Sequence, residues 1–289
     1  MRLAVLSDIH GNLPALEAVL QEVRRPTVDG ILVAGDLVGG PQANETIALL
    51  ADINADMIRG NSDINLLRYD RGEAPPPWRT ARQFALLRWV HRDLSQPNLE
   101  YLRGLPEERV VDAGQASLVR LVHGSPGDSF EGLDPRQEPE ALRSALERVR
   151  EPVLVCGHTH LSWKVELDGK LALNPGAVCG PLNGDPRAQY AILTWQGGRW
   201  HAEHHAVAVD HARIRQAFAE SGLLEEGGAL ARAFLLSIET AVNVGELFFS
   251  HAYRRAAAAG REDSEVLPDD IWEEAEATFN WQEYERHAP

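Results

Sequence analysis

Five times in this chain a short apolar run ends in a polar turn bearing Asp, His or Asn, and that rhythm constrains the fold most. Residues 3–6 are apolar and lead into Ser7, Asp8, Ile9, His10, Gly11 and Asn12. Leu13, Leu16, Val19 and Leu20 then recur at helical spacing. A second run ends in Gly35-Asp36, with a helix expected over 42–53. A third, over 55–59, ends in Gly60-Asn61-Ser62-Asp63. Strand, polar turn and helix in alternation predict a parallel sheet with right-handed crossovers. Polar groups at the carboxyl ends of such strands converge on the crevice where open α/β sheets bind ligands.

From residue 66 to 105 the pattern changes. A proline run at 75–77 precedes helical segments bearing Phe84, Leu87, Trp89 and Val90, then Leu99, Leu102 and Leu105. This stretch is expected to be a helical, cap-like insertion above the strand ends, or ordinary packing helices. Strands are expected over 109–112 and 117–122, the second ending in His123-Gly124, and a helix over 138–150. Residues 153–156 end in Gly157-His158-Thr159-His160. Short strands follow, with Asp168-Gly169 as a hairpin turn between alternating runs, so this half of the core is expected to be antiparallel or mixed. Leu230, Phe234 and Ile238, and then Ile271, Ala275 and Phe279, recur every four residues in a helical tail over 210–289. The domain reading is a core over 1–209 and a C-terminal helical extension.

Composition narrows the partners. The chain has 289 residues and a formal net charge of −15, which argues against a binder of duplex nucleic acid. An anionic substrate stays compatible, because bound metal ions can dominate a local field. The two cysteines, Cys156 and Cys179, are too few for a disulfide scaffold and fit a reducing compartment. The N-terminus enters a strand at once without a signal-peptide pattern, and the most apolar helical stretch, over 230–249, carries Arg232, Glu239, Asn243 and Glu246. A cytoplasmic protein with no membrane partner is expected.

Collected, the strand-end residues are Asp8, His10, Asp36, Asn61, His123, His158 and His160. A lone strand-end His is commonly structural, and a lone Asp is often a helix cap. Seven such residues at five strand ends are not explained that way. Carboxylate, amide and imidazole ligands without thiolates suit a pair of first-row divalent metals, with Mn, Fe, Ni, Co and Zn all acceptable.

The ordered set Asp8-x-His10, Gly35-Asp36, Gly60-Asn61, His123 and Gly157-His158-Thr159-His160 resembles the calcineurin-like metallophosphoesterases over about residues 1–180. The resemblance implies a four-layer αββα sandwich of two mixed β-sheets flanked by helices. It also implies a dinuclear centre, with Asp8, His10 and His160 on one metal, His123, His158 and Asn61 on the other, and Asp36 bridging. A metal-bridging hydroxide would attack phosphorus in line. Many family members have His where this chain has Ser62, and a serine hydroxyl is too weakly acidic to replace it as a general acid. That departure resembles a bacterial and archaeal subgroup of phosphodiesterases and implies a bias to good leaving groups.

Further expectations attach to neighbouring residues. Asn12 and Arg59 lie beside ligands and are candidates for phosphate contact, Arg59 equally for a structural ion pair. Asp63 is expected to orient a ligand imidazole. His201, His204, His205 and His211 alternate across both faces and are expected on an exposed edge strand. Asn174-Pro175-Gly176 recurs in the family as a turn shaping the site. The reading is a phosphodiesterase acting on a small phosphoester, with a homodimer through the tail helices as a reasonable assembly. The alternatives are a phosphomonoesterase or protein-phosphatase-like enzyme, a dinucleoside-polyphosphate hydrolase, and a non-catalytic scaffold on the same fold.

Overall fold

In chain order the strands are β1 (Arg2–Leu6), β2 (Gly30–Val33), β3 (Asp56–Met57), β4 (Arg109–Asp112), β5 (Leu118–Leu121), β6 (Val153–Val155), β7 (Trp163–Leu167), β8 (Lys170–Asn174), β9 (Ala188–Gln196) and β10 (Arg199–Val207). They form two five-stranded sheets, ordered β10-β9-β1-β2-β3 and β4-β5-β6-β8-β7. The computed structural model describes residues 1–25, 27–114, 117–261 and 266–288. In the first sheet β1, β2 and β3 run parallel and β9 and β10 antiparallel. In the second, β5, β6 and β8 run parallel between antiparallel edges. Both sheets are therefore mixed. β3 is shorter than the run over 55–59, because Arg59 N–H turns to the Pro106 carbonyl at 2.8 Å and leaves the sheet.

The layering follows from strand alternation. Leu3 and Val5 face Val119, Leu121, Val153 and Val155 of the other sheet, giving a core between the sheets. Ala4 and Leu6 face outward, beneath Leu16 and Val19 of α1 (Leu13–Arg24). With both faces covered, β1 is apolar from Leu3 to Leu6, and only Arg2 at its start is partly exposed. The second sheet's outer face packs Leu154, Cys156 and Ala172 against Leu142, Ala145 and Leu146 of α6 (Pro139–Arg148). Asp168 and Gly169 both have positive φ, 51° and 79°, in the two-residue turn that joins β7 to β8.

Two helical regions extend the first sheet's outer layer. Helix α3 (Asn61–Asp70) runs straight through residue 66, followed by α4 (Ala85–Asp93) and α5 (Gln96–Gly104). Beyond β10 come α7 (His211–Glu220), α8 (Leu223–Glu226), α9 (Gly228–Thr240) and α10 (Val244–Ala258), then α11 (Asp269–Thr278) and α12 (Trp281–Glu285). Phe218, Leu235 and Ile238 share one buried cluster with Leu16, Trp89 and Leu99. The opposite face of α9, through Ala229, Ala233 and Leu236, packs on Phe248, Trp272 and Trp281. Helix α9 is thus the seam between the sandwich and the last helices. Among the described residues no helix is long and apolar enough to cross a membrane.

Strand β10 is an edge strand, and His205 on it is exposed. The other three histidines depart from the expectation: His201 is half-buried, His211 is half-buried at the start of a helix after the strand, and His204 is covered. The second sheet covers the inner face of β10, and the His204 Nε2 sits 2.8 Å from the Asn174 carbonyl, half-buried.

Candidate metal centre

All seven strand-end residues meet at one edge of the sandwich, because β1, β2 and β3 point their carboxyl ends the same way and β5 and β6 do so opposite them. The turns that carry them share a backbone signature. Nine described non-glycine residues have positive φ, and five of these are Asp8 (55°), His10 (45°), Asp36 (54°), His158 (67°) and His160 (57°). Left-handed backbone costs an L-residue about 1–2 kcal/mol, so it survives where neighbouring structure overdetermines it. The neighbours are other turns of the same site. Asp8 N–H donates to the Gly35 carbonyl at 3.1 Å, His10 N–H to that of Asp36 at 2.8 Å, and Gly157 N–H to that of His123 at 2.7 Å.

Two glycines let these turns approach. A Cβ on Gly60 would lie 2.1 Å from Asp36 Oδ1, and one on Gly157 would lie 1.9 Å from Ser7 Oγ and 3.0 Å from Asp8 Oδ2. Only a residue without a Cβ fits either position.

The side chains form two linked groups. In the first, His10 Nε2 and His160 Nε2 are 3.2 Å apart, and Asp8 Oδ1 is 3.4 Å from His160 Nε2 and 4.0 Å from His10 Nε2. In the second, Asn61 Oδ1 lies 2.9 Å from His123 Nε2 and 2.8 Å from His158 Nδ1. Asp36 stands between, with Oδ2 3.5 Å from His10 Nε2 and Oδ1 3.4 Å from His123 Nε2. Asp8, His10 and His160 on one side, and Asp8, Asp36 and His123 on the other, each gather closely enough to hold an ion.

The donor set fits cations on a specific observation. The Nδ1 atoms of His10, His123 and His160 each face a backbone carbonyl, of Val38 (3.1 Å), Ala34 (2.6 Å) and Gly180 (2.7 Å). Carbonyls only accept, so Nδ1 carries the proton and Nε2 turns a lone pair into the site. Lone pairs of His10 and His160 then face each other, and buried Asp8 Oδ1 has no hydrogen-bond partner among the described residues. First-row metals bind such atoms at about 2.0–2.2 Å, which puts two ligands of one ion about 3–3.5 Å apart. The His10–His160, Asp8–His160, Asp36–His10 and Asp36–His123 spacings, 3.2–3.5 Å, fall in that range, and Asp8–His10 at 4.0 Å lies outside it.

The titration of these groups carries the same imprint. Burial disfavours charge on Asp8, yet the imidazoles of His160, His123 and His10 hold its carboxyl well below the usual range. Burial likewise opposes charge on His160, but the Asp8 carboxylate outweighs it and raises the imidazole to about 9. Where no cation is bound, a proton on His160 relieves the facing lone pairs.

A family model of the calcineurin-like phosphoesterase superfamily domain matches residues 1–198. The chain belongs to this superfamily. An uncharacterized protein of Methanocaldococcus jannaschii is 28% identical over 212 residues, covering 66% of this chain and 82% of the relative. A phosphodiesterase of the same archaeon is 23% identical over 188 residues, covering 64% and 89%. Among solved structures, a metallophosphoesterase from Sphaerobacter thermophilus is 29% identical with a TM-score of 0.67, covering 84% of this chain and all of that one. A hypothetical protein from Pyrococcus horikoshii shares the fold at a TM-score of 0.66 and 24% identity, covering 78% of this chain and 95% of that one.

Three residues beside the seven take structural duties. Asn12 is buried, its Oδ1 caps α1 by accepting from Ala15 N–H at 3.1 Å, and its Nδ2 points to Cys179 Sγ at 3.4 Å. Both polar atoms of the side chain thus make structural contacts, and none of them supports the expected phosphate contact. Arg59 pairs through Nη2 with Glu107 Oε1 at 3.1 Å, the structural alternative weighed for it. Asp63 touches no imidazole. It accepts from Leu37 and Val38 N–H, both at 3.0 Å, and Gly60 N–H at 2.9 Å, binding the turn after Asp36 to the turn before Asn61. It reaches His10 only at one remove, through the Val38 segment. Burial and the nearby Asp36 charge push Asp63 up to about 7 against those three N–H groups.

Ser62 donates through both its hydroxyl and its N–H to Asp36, at 2.8 Å each. It holds the carboxylate between the two groups. Asn174, within the Asn-Pro-Gly turn, donates from Nδ2 to the Gly157 carbonyl at 2.6 Å, steadying the turn that bears His158 and His160.

The centre opens into a cavity of about 350 Å³ whose floor includes His10, His158 and His160. Its far wall is apolar, with Leu86 from α4 and Leu230 and Phe234 from α9. Phe234 meets the His10 ring edge-on at 5.6 Å between centroids. Sequence reasoning placed Phe234 on an apolar helical stripe but not at the site. The four-residue spacing was its only signal, and that spacing describes a buried helix face without naming what buries it.

Proposed function

We propose that the protein is a phosphodiesterase that holds two divalent metals on Asp8, His10 and His160 and on His123, His158 and Asn61, with Asp36 shared. The convergence of those donors on facing imidazole lone pairs and an unpartnered Asp8 oxygen carries the reading. When bound, such a pair supplies a nucleophile from water near neutral pH and offsets charge growing on phosphoryl oxygens.

The chain's own groups supply position. Backbone carbonyls of Val38, Ala34 and Gly180 orient three imidazoles, and Ser62 fixes the Asp36 carboxylate. Ser62 is too weak an acid to protonate a leaving alkoxide. Esters with acidic alcohols should therefore turn over faster than alkyl esters.

Metal-stripped protein refilled with Mn²⁺ should hydrolyse bis(p-nitrophenyl) phosphate faster than p-nitrophenyl phosphate, and an Asp36→Asn variant should lose the activity. A monoester preference would replace this reading with a phosphatase. Stoichiometric metal binding with no turnover of either ester would replace it with a scaffold.

A further inference from the structure

A second cavity, about 240 Å³, lies beside the first and shares Gly39, Ser62 and Leu86 with it. Its walls are Trp78 and Phe84, whose rings stack at 5.0 Å and 21°, with Leu66, Leu87 and Val90 behind. Trp78, Phe84, Leu86 and Leu87 are half-exposed, although residues of this type normally complete a core. Their apolar surface is turned into a recess that begins at the hydroxyl holding Asp36.

The wall is built in advance. Arg88 Nη1 donates to the carbonyls of Trp78 at 3.0 Å and Ala81 at 2.8 Å, and Arg68 sits 5.8 Å over the Trp78 ring. Order of this kind limits the entropy lost when a ligand enters. Among the described residues no Lys or Arg lines either cavity. Neither chamber therefore provides the side-chain cations that would select a polyphosphate or a multiply phosphorylated partner, and the chain's net charge of −15 disfavours one further. Residue 62, a small serine, borders both cavities.

We propose that this annex is a subsite for one aromatic or flat apolar group esterified to the phosphate, so that the substrate is a phosphoester of an aromatic alcohol. The inference rests on the phosphoesterase reading above and names its substrate class. Size agrees: an apolar cavity of about 150 Å³ is enough to bind benzene in another protein, so the annex takes one ring with its linking atoms. Position agrees as well, since the annex adjoins the cavity over the metal centre, with Gly39, Ser62 and Leu86 lining both.

Hydrolysis rates would confuse this subsite with leaving-group acidity, so the test is binding of phosphonates, whose C–P bond is not an ester. The Mn²⁺-loaded full chain is titrated calorimetrically with phenylphosphonate and with methylphosphonate, which share the anionic head. Phenylphosphonate should bind about 10- to 100-fold more tightly, the scale expected for burying one apolar side group. Trp78→Ala, which removes a wall, and Leu87→Trp, which fills the annex, should each reduce that advantage to about twofold or less. Methylphosphonate affinity should hold in both, which reports that the site is still folded. The variants perturb the annex in opposite ways, so if one fails to fold the other decides.

Equal affinity of the two phosphonates, or an advantage that survives the variant change, overturns the annex while leaving the metal centre's reading intact. Failure of both phosphonates to bind Mn²⁺-loaded protein overturns the phosphoesterase reading and the annex with it.

Discussion

Gly60→Ala is the sharpest test of the site's construction. The Gly60 backbone, at φ −101° and ψ −176°, is open to alanine, so conformational preference alone favours the variant by about 0.4–1 kcal/mol. Sterics oppose it. The new Cβ would stand 2.1 Å from Asp36 Oδ1, 2.4 Å from Asp36 N and 2.8 Å from Asp36 Cγ. Reaching ordinary contact needs a shift of about 1 Å, of a kind that costs about 1–3 kcal/mol in a packed interior. A swing of the carboxylate does not relieve it, because the Asp36 backbone is within reach too, and its carbonyl accepts from His10 N–H. The displacement therefore falls on Asp36, the proposed shared ligand. A 1 Å misplacement in an active site is worth about 100-fold in rate, whereas the stability change lowers Tm by only about 2–6 °C. Calorimetric Mn²⁺ titration, bis(p-nitrophenyl) phosphate hydrolysis and a thermal melt read the three quantities. Gly104→Ala, whose Cβ meets nothing within 4 Å, is the control and should change none of them adversely. Wild-type Mn²⁺ affinity and rate in Gly60→Ala would refute the placement of Asp36 against this turn.

Other outcomes follow from the same geometry. Asn12→Ala should lower stability by about 1 kcal/mol through loss of the α1 cap with KM unchanged; a large KM rise at constant Tm would return Asn12 to phosphate binding. Asp8 raises His160 from 6.5 to about 9, so in the metal-free protein that pair contributes fully below pH 6.5 and is lost as pH rises through about 9. A metal has to displace the proton, and apparent Mn²⁺ affinity should climb with pH, about tenfold per unit per proton released, from pH 7 toward 9. Flat affinity across that range would contradict it. Removal of bound metal with EDTA should lower Tm, since a ligand at 100 times its Kd stabilises by about 2.7 kcal/mol; an unchanged melt would mean that the fold does not hold the ion.

Legibility in the sequence followed locality. Asp8, Asp36 and His123 announce themselves because each ends its own apolar run, and a strand end is a short-range property. Asn12 carried a short-range signal as well: it stands just before a helix with Pro14 near its start, the pattern of a cap, and that pattern describes it better than its nearness to His10. His204 was misplaced because alternation says which residues share a face but not that a second sheet covers it. Ser62 was read for the proton it cannot give. Its bond to Asp36 spans 26 residues of chain and has no signature short of the fold. The annex is harder still, since Trp78, Phe84 and Leu87 look like any packing residues until the helices are seen to leave them half-covered.

The backbone bears on whether this site is in use. Five of the proposed ligands in left-handed conformation represent about 5 kcal/mol or more of local strain, comparable with the whole stability of many domains. A chain that needed only the sandwich as a scaffold could shed that strain with glycine at any of the five, without touching either sheet. Here each position instead holds a carboxylate or an imidazole, and each is tied in place: Asp8 to Gly35, His10 to Asp36, the turn before His158 to His123. The cross-bonds hold the turns against their preference, and they do so only when all the turns are present together. Circular dichroism melts of Asp8→Gly and His160→Gly at about pH 10, above the range in which the Asp8–His160 pair contributes, should therefore show Tm unchanged or raised in metal-free protein, with metal binding lost. A fall of several degrees in both would show that these side chains stabilise the fold itself, and the case for a working site from backbone strain would fail.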